Sequence, residues 1–222
     1  MSAPTSPIPV STTTLSDAVF DSLRQRIATG EIAPGERVTE ARVVGEYEIA
    51  RPTAKACIER LVGVGLLQRA TYKSATVTEL TADDVDDLFL ARTTIEVTAA
   101  RLLADVGEVP RAMLEAQRAL DIAGEFDDRP GLVRADIDFH SSMVRASGSK
   151  RLARMYEMVT GEILLTIGSA GHRRASIADV AAEHSGVLDA LRSRDADTAV
   201  RRLTDHLDSA HLRVRRAFEP TS

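Results

Sequence analysis

From Thr81 onward the apolar residues of this chain repeat only at helical spacing, and no stretch alternates as a half-buried strand would. Thr81 with Asp84 three residues later forms a capping-box pattern, with Asp in place of Glu. The helix it opens carries Val85, Leu88, Arg92, Ile95 and Ala99 along one face. Further helical stretches are predicted over about 110–124, 131–147, 149–167, 175–193 and 196–218. They are separated by Gly107 to Pro110, Asp127 to Gly131, Gly148, Gly168 to Gly171 and Ser193 to Asp195. Each stretch has one apolar stripe to bury, so residues 81–219 are expected to pack as an antiparallel all-helical bundle.

The preceding segment, 15–80, reads differently. Leu15, Val19, Leu23 and Ile27 make one helical stripe that ends near Gly30, and Pro34-Gly35 makes a turn. Thr39 is a predicted N-cap for a short helix to about Tyr47, buried through Val43 and Val44. Pro52 suits the first turn of a third helix, where its missing N–H costs nothing; Cys57, Ile58, Leu61 and Val62 are its core side. Leu66 to Gln68 and Ala75 to Thr78 read as two strands around the turn Thr71 to Ser74. Three short helices and a hairpin are the layout of a winged helix-turn-helix, so the fold class is mainly α with two domains. Residues 1–14 are expected to be a disordered tail, since ten of the thirteen from Ser2 to Thr14 are Ser, Thr or Pro.

Charge alone gives little support for a nucleic-acid partner. Residues 1–80 hold nine Lys and Arg against nine Asp and Glu, and the rest of the 222 residues carries the whole net charge of −5. DNA binding must therefore come from a local basic face. Arg51 and Lys55, four apart at the start of the third helix and off its core stripe, can enter a major groove. Arg37 and Arg42 are phosphate candidates, and Tyr72 and Lys73 on the wing reach backbone or minor groove. A solvated surface is the alternative for all six. One cysteine, Cys57, fits a reducing cytoplasm, and no apolar run is long enough for a membrane span.

The second segment holds a sharper pattern. Asp136 and His140 lie at i and i+4 on one helix face, His140 follows the apolar stripe of Val133 and Ile137, His184 lies among Val180, Val187, Leu188 and Leu191, and His206 among Leu203 and Ala210. Three histidines and a carboxylate from three helices suit a divalent ion, zinc first, with nickel, cobalt or manganese as alternatives. Asp138 falls on the opposite side, and His172 and His211 read as surface residues. Arg92 lies on an apolar face, where an unpaired charge is costly; its partner is Glu96 one turn on or the carboxylate of a bound small molecule.

Two sets of residues resemble known families. Ile27-x-x-Gly30-x-Ile32-x-Pro34-Gly35-x-x-Val38, Ala50-Arg51, Lys55, Arg60-Leu61 and Gly65-Leu66-Leu67 resemble the DNA-binding domain of the GntR regulators. Arg92-x-x-Ile95-Glu96, Asp136-x-x-Phe139-His140, Glu183-His184 and His206-Leu207 resemble the FCD effector domain of the FadR-type subfamily. The recognition helix departs from the usual pattern, with Ala50 in place of the Ser cap, Pro52-Thr53 inverted and Lys55 in place of the second Arg. The resemblance implies a transcriptional regulator with metal ligands at Asp136, His140, His184 and His206 and a small organic acid as effector, with Arg92 as its contact; because one recognition helix contacts too few bases for specificity, a homodimer on an inverted-repeat operator is expected. The other functions left open are a metalloenzyme and a regulator for which the metal itself is the signal.

Overall fold

The computed structural model describes residues 14–69, 74–169 and 176–218. The expected tail, the wing tip with Tyr72 and Lys73, and His172 lie outside them. Thr14, grouped with the tail by composition, instead caps the first helix: its hydroxyl accepts from Asp17 N–H and the Asp17 carboxylate accepts from Thr14 N–H.

The reading order in the first domain is α1 (Leu15–Ala28), β1 (Arg37–Val38), α2 (Glu40–Tyr47), α3 (Arg51–Gly63), β2 (Leu67–Gln68) and β3 (Ala75–Val77). Leu15 begins the predicted stripe but is 64% exposed, so only Val19, Leu23 and Ile27 face the core. The sheet has three strands where the sequence predicts two. β3 is central and pairs antiparallel with β1, Arg37 opposite Thr76, and with β2, Leu67 opposite Val77. A two-residue strand such as β1 is too short to show alternation.

Residues 78–81 connect β3 directly to the bundle: α4 (Ala82–Val106), α5 (Arg111–Phe126), α6 (Arg129–Ala146), α7 (Lys150–Ser169), α8 (Ile177–Arg192) and α9 (Ala196–Arg215). The Thr81–Asp84 capping box forms as expected. α6 starts two residues earlier than predicted. The Asp128 carboxylate accepts from Gly131 N–H, and Pro130 lies in the first turn, so residues that punctuate the sequence are here a helix start.

The apolar interior divides into two main clusters, and the division does not follow the domain boundary. One runs from the winged helix through Leu88, Ile95 and Ile137 to Tyr156, Ile163 and Ile167 of α7. The other is enclosed by α5, α6, α8, α9 and the second half of α4.

Candidate metal centre and DNA-reading face

α6 places Asp136 and His140 one turn apart, α8 supplies His184 and α9 supplies His206. All four are buried, and one potential ligand atom from each lies within 4.8 Å of the others. Each imidazole has its Nδ1 engaged outside the cluster. That of His184 donates to Val180 O at 2.7 Å, that of His206 to the Glu183 carboxylate at 2.7 Å, and that of His140 lies 2.5 Å from Glu96 Oε2. The Glu96 contact departs from ideal hydrogen-bond geometry but has the distance of a strong pair between two fully buried groups. With the proton on Nδ1, Nε2 of each ring is left as a lone pair, an arrangement that fixes tautomer and ring orientation for a metal.

Those lone pairs meet one another. His184 Nε2 lies 3.1 Å from His140 Nε2 and 3.3 Å from Asp136 Oδ1. Acceptors at that separation repel unless a proton or a metal cation lies between them. The surrounding charges agree: buried Arg92 offsets one of the buried carboxylates Glu96 and Asp136, leaving one negative charge over. Burial opposes ionising Glu96, but Arg92 and His140 outweigh it and hold the carboxyl at about 2. Burial also opposes ionising Asp136, yet His184, His140 and Arg92 hold it well below the usual carboxylate range. Burial pushes His140 down against the pull of Glu96, and pushes His206 down further, with His184 and His140 adding to it. Neutral imidazoles and an ionised carboxylate are the protonation states a metal requires. The residues present therefore fit a borderline divalent ion.

Arg92 Nε donates to Glu96 Oε1 at 2.6 Å, the intrahelical partner anticipated from the sequence. Arg92 Nη2 has no hydrogen-bond partner among the described residues and lies 3.8 Å from Asp136 Oδ2, itself without one. The space beside them, lined by Phe89, Ile167, His206 and Val214, is about 10 Å³. That is room for one water molecule, not for an organic acid.

Three residues of this centre are not singled out for these roles by the sequence pattern. Glu183, quoted only as the neighbour of His184, holds His206 across 23 residues of chain. Glu96 faces His140 as well as Arg92. Tyr156, buried on α7, has a hydroxyl with no hydrogen-bond partner among the described residues. A stripe of Leu152, Tyr156, Val159 and Ile163 at helical spacing carries that signal. His211 is not a plain surface residue: it pairs with Asp86 at 2.6 Å and stacks on Phe89. Asp138 stays outside the cluster, as its position on the helix predicts.

On the first domain α3 turns Ala54, Cys57, Ile58 and Leu61 inward and leaves Arg51 and Lys55 exposed. Arg51 is 81% exposed and holds Glu40 of α2 at 2.8 Å. Arg37 is exposed on β1. Arg42 is half-buried between Glu36 at 2.6 Å and Glu46 at 2.7 Å, and Arg26 shares Glu46, so Arg42 is part of a charge network rather than a free cation.

Three short helices ending in a three-stranded sheet, α3 presenting its cations outward, define a winged helix-turn-helix transcriptional regulator. Residues 15–77 match the bacterial regulatory proteins of the gntR family and residues 87–209 match the FCD domain, and the chain belongs to the GntR family with an FCD effector domain. It is 26% identical over 228 residues to the HTH-type transcriptional repressor NanR of Klebsiella aerogenes, covering 90% of this chain and 85% of that one. Its fold matches that of E. coli McbR/YncC with a TM-score of 0.78 at 18% identity, over 94% of this chain and 100% of the other. The metal-free FCD domain of TM0439 matches with a TM-score of 0.55 at 19% identity, over 63% of this chain and 96% of that one. The protein is thus a regulator and not an enzyme. Among the described residues, no helix is long and apolar enough to cross a membrane.

Proposed function

We propose that this regulator binds an inverted-repeat operator as a homodimer, and that a small organic acid at a divalent metal ion sets its affinity for that operator. The observation that supports this most directly is the 3.1 Å meeting of His184 Nε2 and His140 Nε2, two lone pairs with no donor between them. Asp136, His140, His184 and His206 hold the ion, and its charge there offsets the excess carboxylate. Four protein ligands leave up to two positions of a six-coordinate ion for an acid, whose carboxylate Arg92 Nη2 is free to grip. An acid needs more than 10 Å³, so its entry displaces neighbours such as Ile167 of α7 or Phe89 of α4. Entry and helix movement are then one event.

At the other end, Arg51 and Lys55 face the major groove and Arg37 the phosphates, Arg42 reaches a phosphate only by leaving Glu36 and Glu46, and Tyr72 and Lys73 serve the wing. One recognition helix contacts too few bases for specificity, which is why a two-fold dimer on a two-fold site is expected. Native mass spectrometry of the purified protein tests the reading, with one divalent ion per chain and a dimeric mass expected. A metal-free monomer that still binds DNA would overturn it.

A further inference from the structure

α7 is the element that both domains share. Five residues before its middle glycine it carries Tyr156, whose buried hydroxyl has no well-formed hydrogen bond among the described residues and feels the charges of Glu96, Arg92 and Asp136. Its glycine, Gly161, touches the recognition helix. Gly161 N–H donates to Val64 O at 2.7 Å, and Val64 is the C-cap of α3. The approach depends on the missing side chain, because a Cβ at 161 would lie 2.6 Å from Leu66 N and in still harder contact with Val64 O. The next residue of α7 closes the contact from its side: Glu162 Oε1 is 3.0 Å from where a Cβ of Gly65 would be. Gly65 has φ +82°, so its own lack of a side chain is required twice over. Beside this contact the two domains are parted by a cleft of about 540 Å³, lined by Arg24 and Arg60 on one side and Arg145 and Arg154 on the other.

We propose that Tyr156 and Gly161 form a relay, in which Tyr156 is a positioning residue that senses the charge state of the metal centre and the Gly161–Val64 joint passes its displacement to the end of the recognition helix. The proposal rests on the metal reading above. The two residues are five positions apart on one unbroken helix, about 7.5 Å along the axis, so they move as one rigid body. Arg92 Nη2 is without a hydrogen-bond partner among the described residues, as is the Tyr156 hydroxyl. When an ion engages Asp136 and His140 Nε2, Arg92 loses part of its attraction to Asp136, while the His140 Nδ1–H becomes a stronger donor and holds Glu96 more tightly. Arg92 Nη2 is then freer to donate to the Tyr156 hydroxyl and draw α7 toward α4. A packed interface responds to such a pull by changing between discrete arrangements, not by stretching.

Hydrogen exchange read by mass spectrometry on the full chain tests this, with zinc alone as the probe against chelated protein. In the wild type, zinc should change exchange in the peptide spanning residues 61–68 by about fivefold, the lower end of ordinary coupling between sites. Tyr156→Phe keeps the ring and removes the hydroxyl. It should bind zinc in the same stoichiometry and keep the exchange change around His184 and His206, but lose it at 61–68. Gly161→Ala should do the same by separating the joint; should that variant fail to fold, Tyr156→Phe alone decides. Zinc bound by the wild type without any change at 61–68 overturns the relay and leaves the metal reading intact. Zinc not bound at all overturns both. A full response retained in Tyr156→Phe removes that residue from the relay, and one retained in a folded Gly161→Ala removes the joint.

Discussion

The reading face and the metal centre use charge in opposite ways. Arg51 projects into solvent and is paired to an acid it can release at little cost, since solvent screens exposed pairs. Arg92, Glu96 and Asp136 are buried, and Arg92 and Asp136 each hold an atom without a hydrogen-bond partner among the described residues. The face is made to exchange its partners for phosphates and bases. The centre is held by packing in a state that its own side chains leave incomplete. The proposed ion would complete the second region and leave the charges of the first unchanged.

Removing one member of the buried set should therefore have the largest effect. Glu96→Gln leaves Arg92 without its close anion, and breaking a buried pair costs about 3–5 kcal/mol. Chemical denaturation should show that loss; a change below 1 kcal/mol would mean the centre is as forgiving as the surface.

Metal removal comes next. His184→Ala should abolish binding, and a chelator should lower the melting temperature of the wild type but not of the variant. Saturation at a thousandfold excess over Kd contributes about 4 kcal/mol of stability. Identical melting with and without chelator would remove the distinction between the two regions.

Acid should separate them as well. His140 and His206 have folded pKa values below the ordinary 6.5, so as pH falls the unfolded chain takes up their protons first. Stability of the metal-free protein is then full above about 6.5 and declines below it. A second loss follows below about 4, where Glu96 and Asp136, also depressed in the folded state, are protonated on unfolding. A melting temperature flat from pH 7 to 4.5 would count against neutral buried imidazoles.

Smaller effects belong to the face. Arg51→Ala should weaken specific DNA binding by about 1–3 kcal/mol if it reads a base edge. Glu40→Gln, which frees Arg51, should tighten binding by less than Arg51→Ala weakens it. Equal loss on specific and random DNA in a gel-shift or anisotropy assay would make Arg51 a phosphate contact instead.

The sequence is informative where function follows a helical period. His140, His184 and His206 each lie on an apolar stripe, and a stripe states which side of a helix is buried before any partner is known. Thr81 and Asp84 are legible for the same reason, because a cap is a contact across three residues. β1 is hidden because two residues have no period, and the start of α6 because Pro130 and Gly131 signal a break and a first turn equally well. The hold of Glu183 on His206 and the grip of Arg42 on Glu36 depend on how elements meet, which no local spacing records. Gly161 is the clearest case: a glycine inside a helix reads as a weakness until the strand-side backbone of Val64 is seen against it.

The link from β3 to α4 is only residues 78–81. Its brevity turns docking of the two domains into a problem of local concentration. Short flexible tethers hold their ends at about millimolar effective concentration, far above that of any regulator in solution. The Gly161–Val64 contact, once opened, therefore re-forms within the same molecule. How often the recognition helix is held then depends on the ratio of closing to opening rates, and not on how many copies of the protein the cell contains.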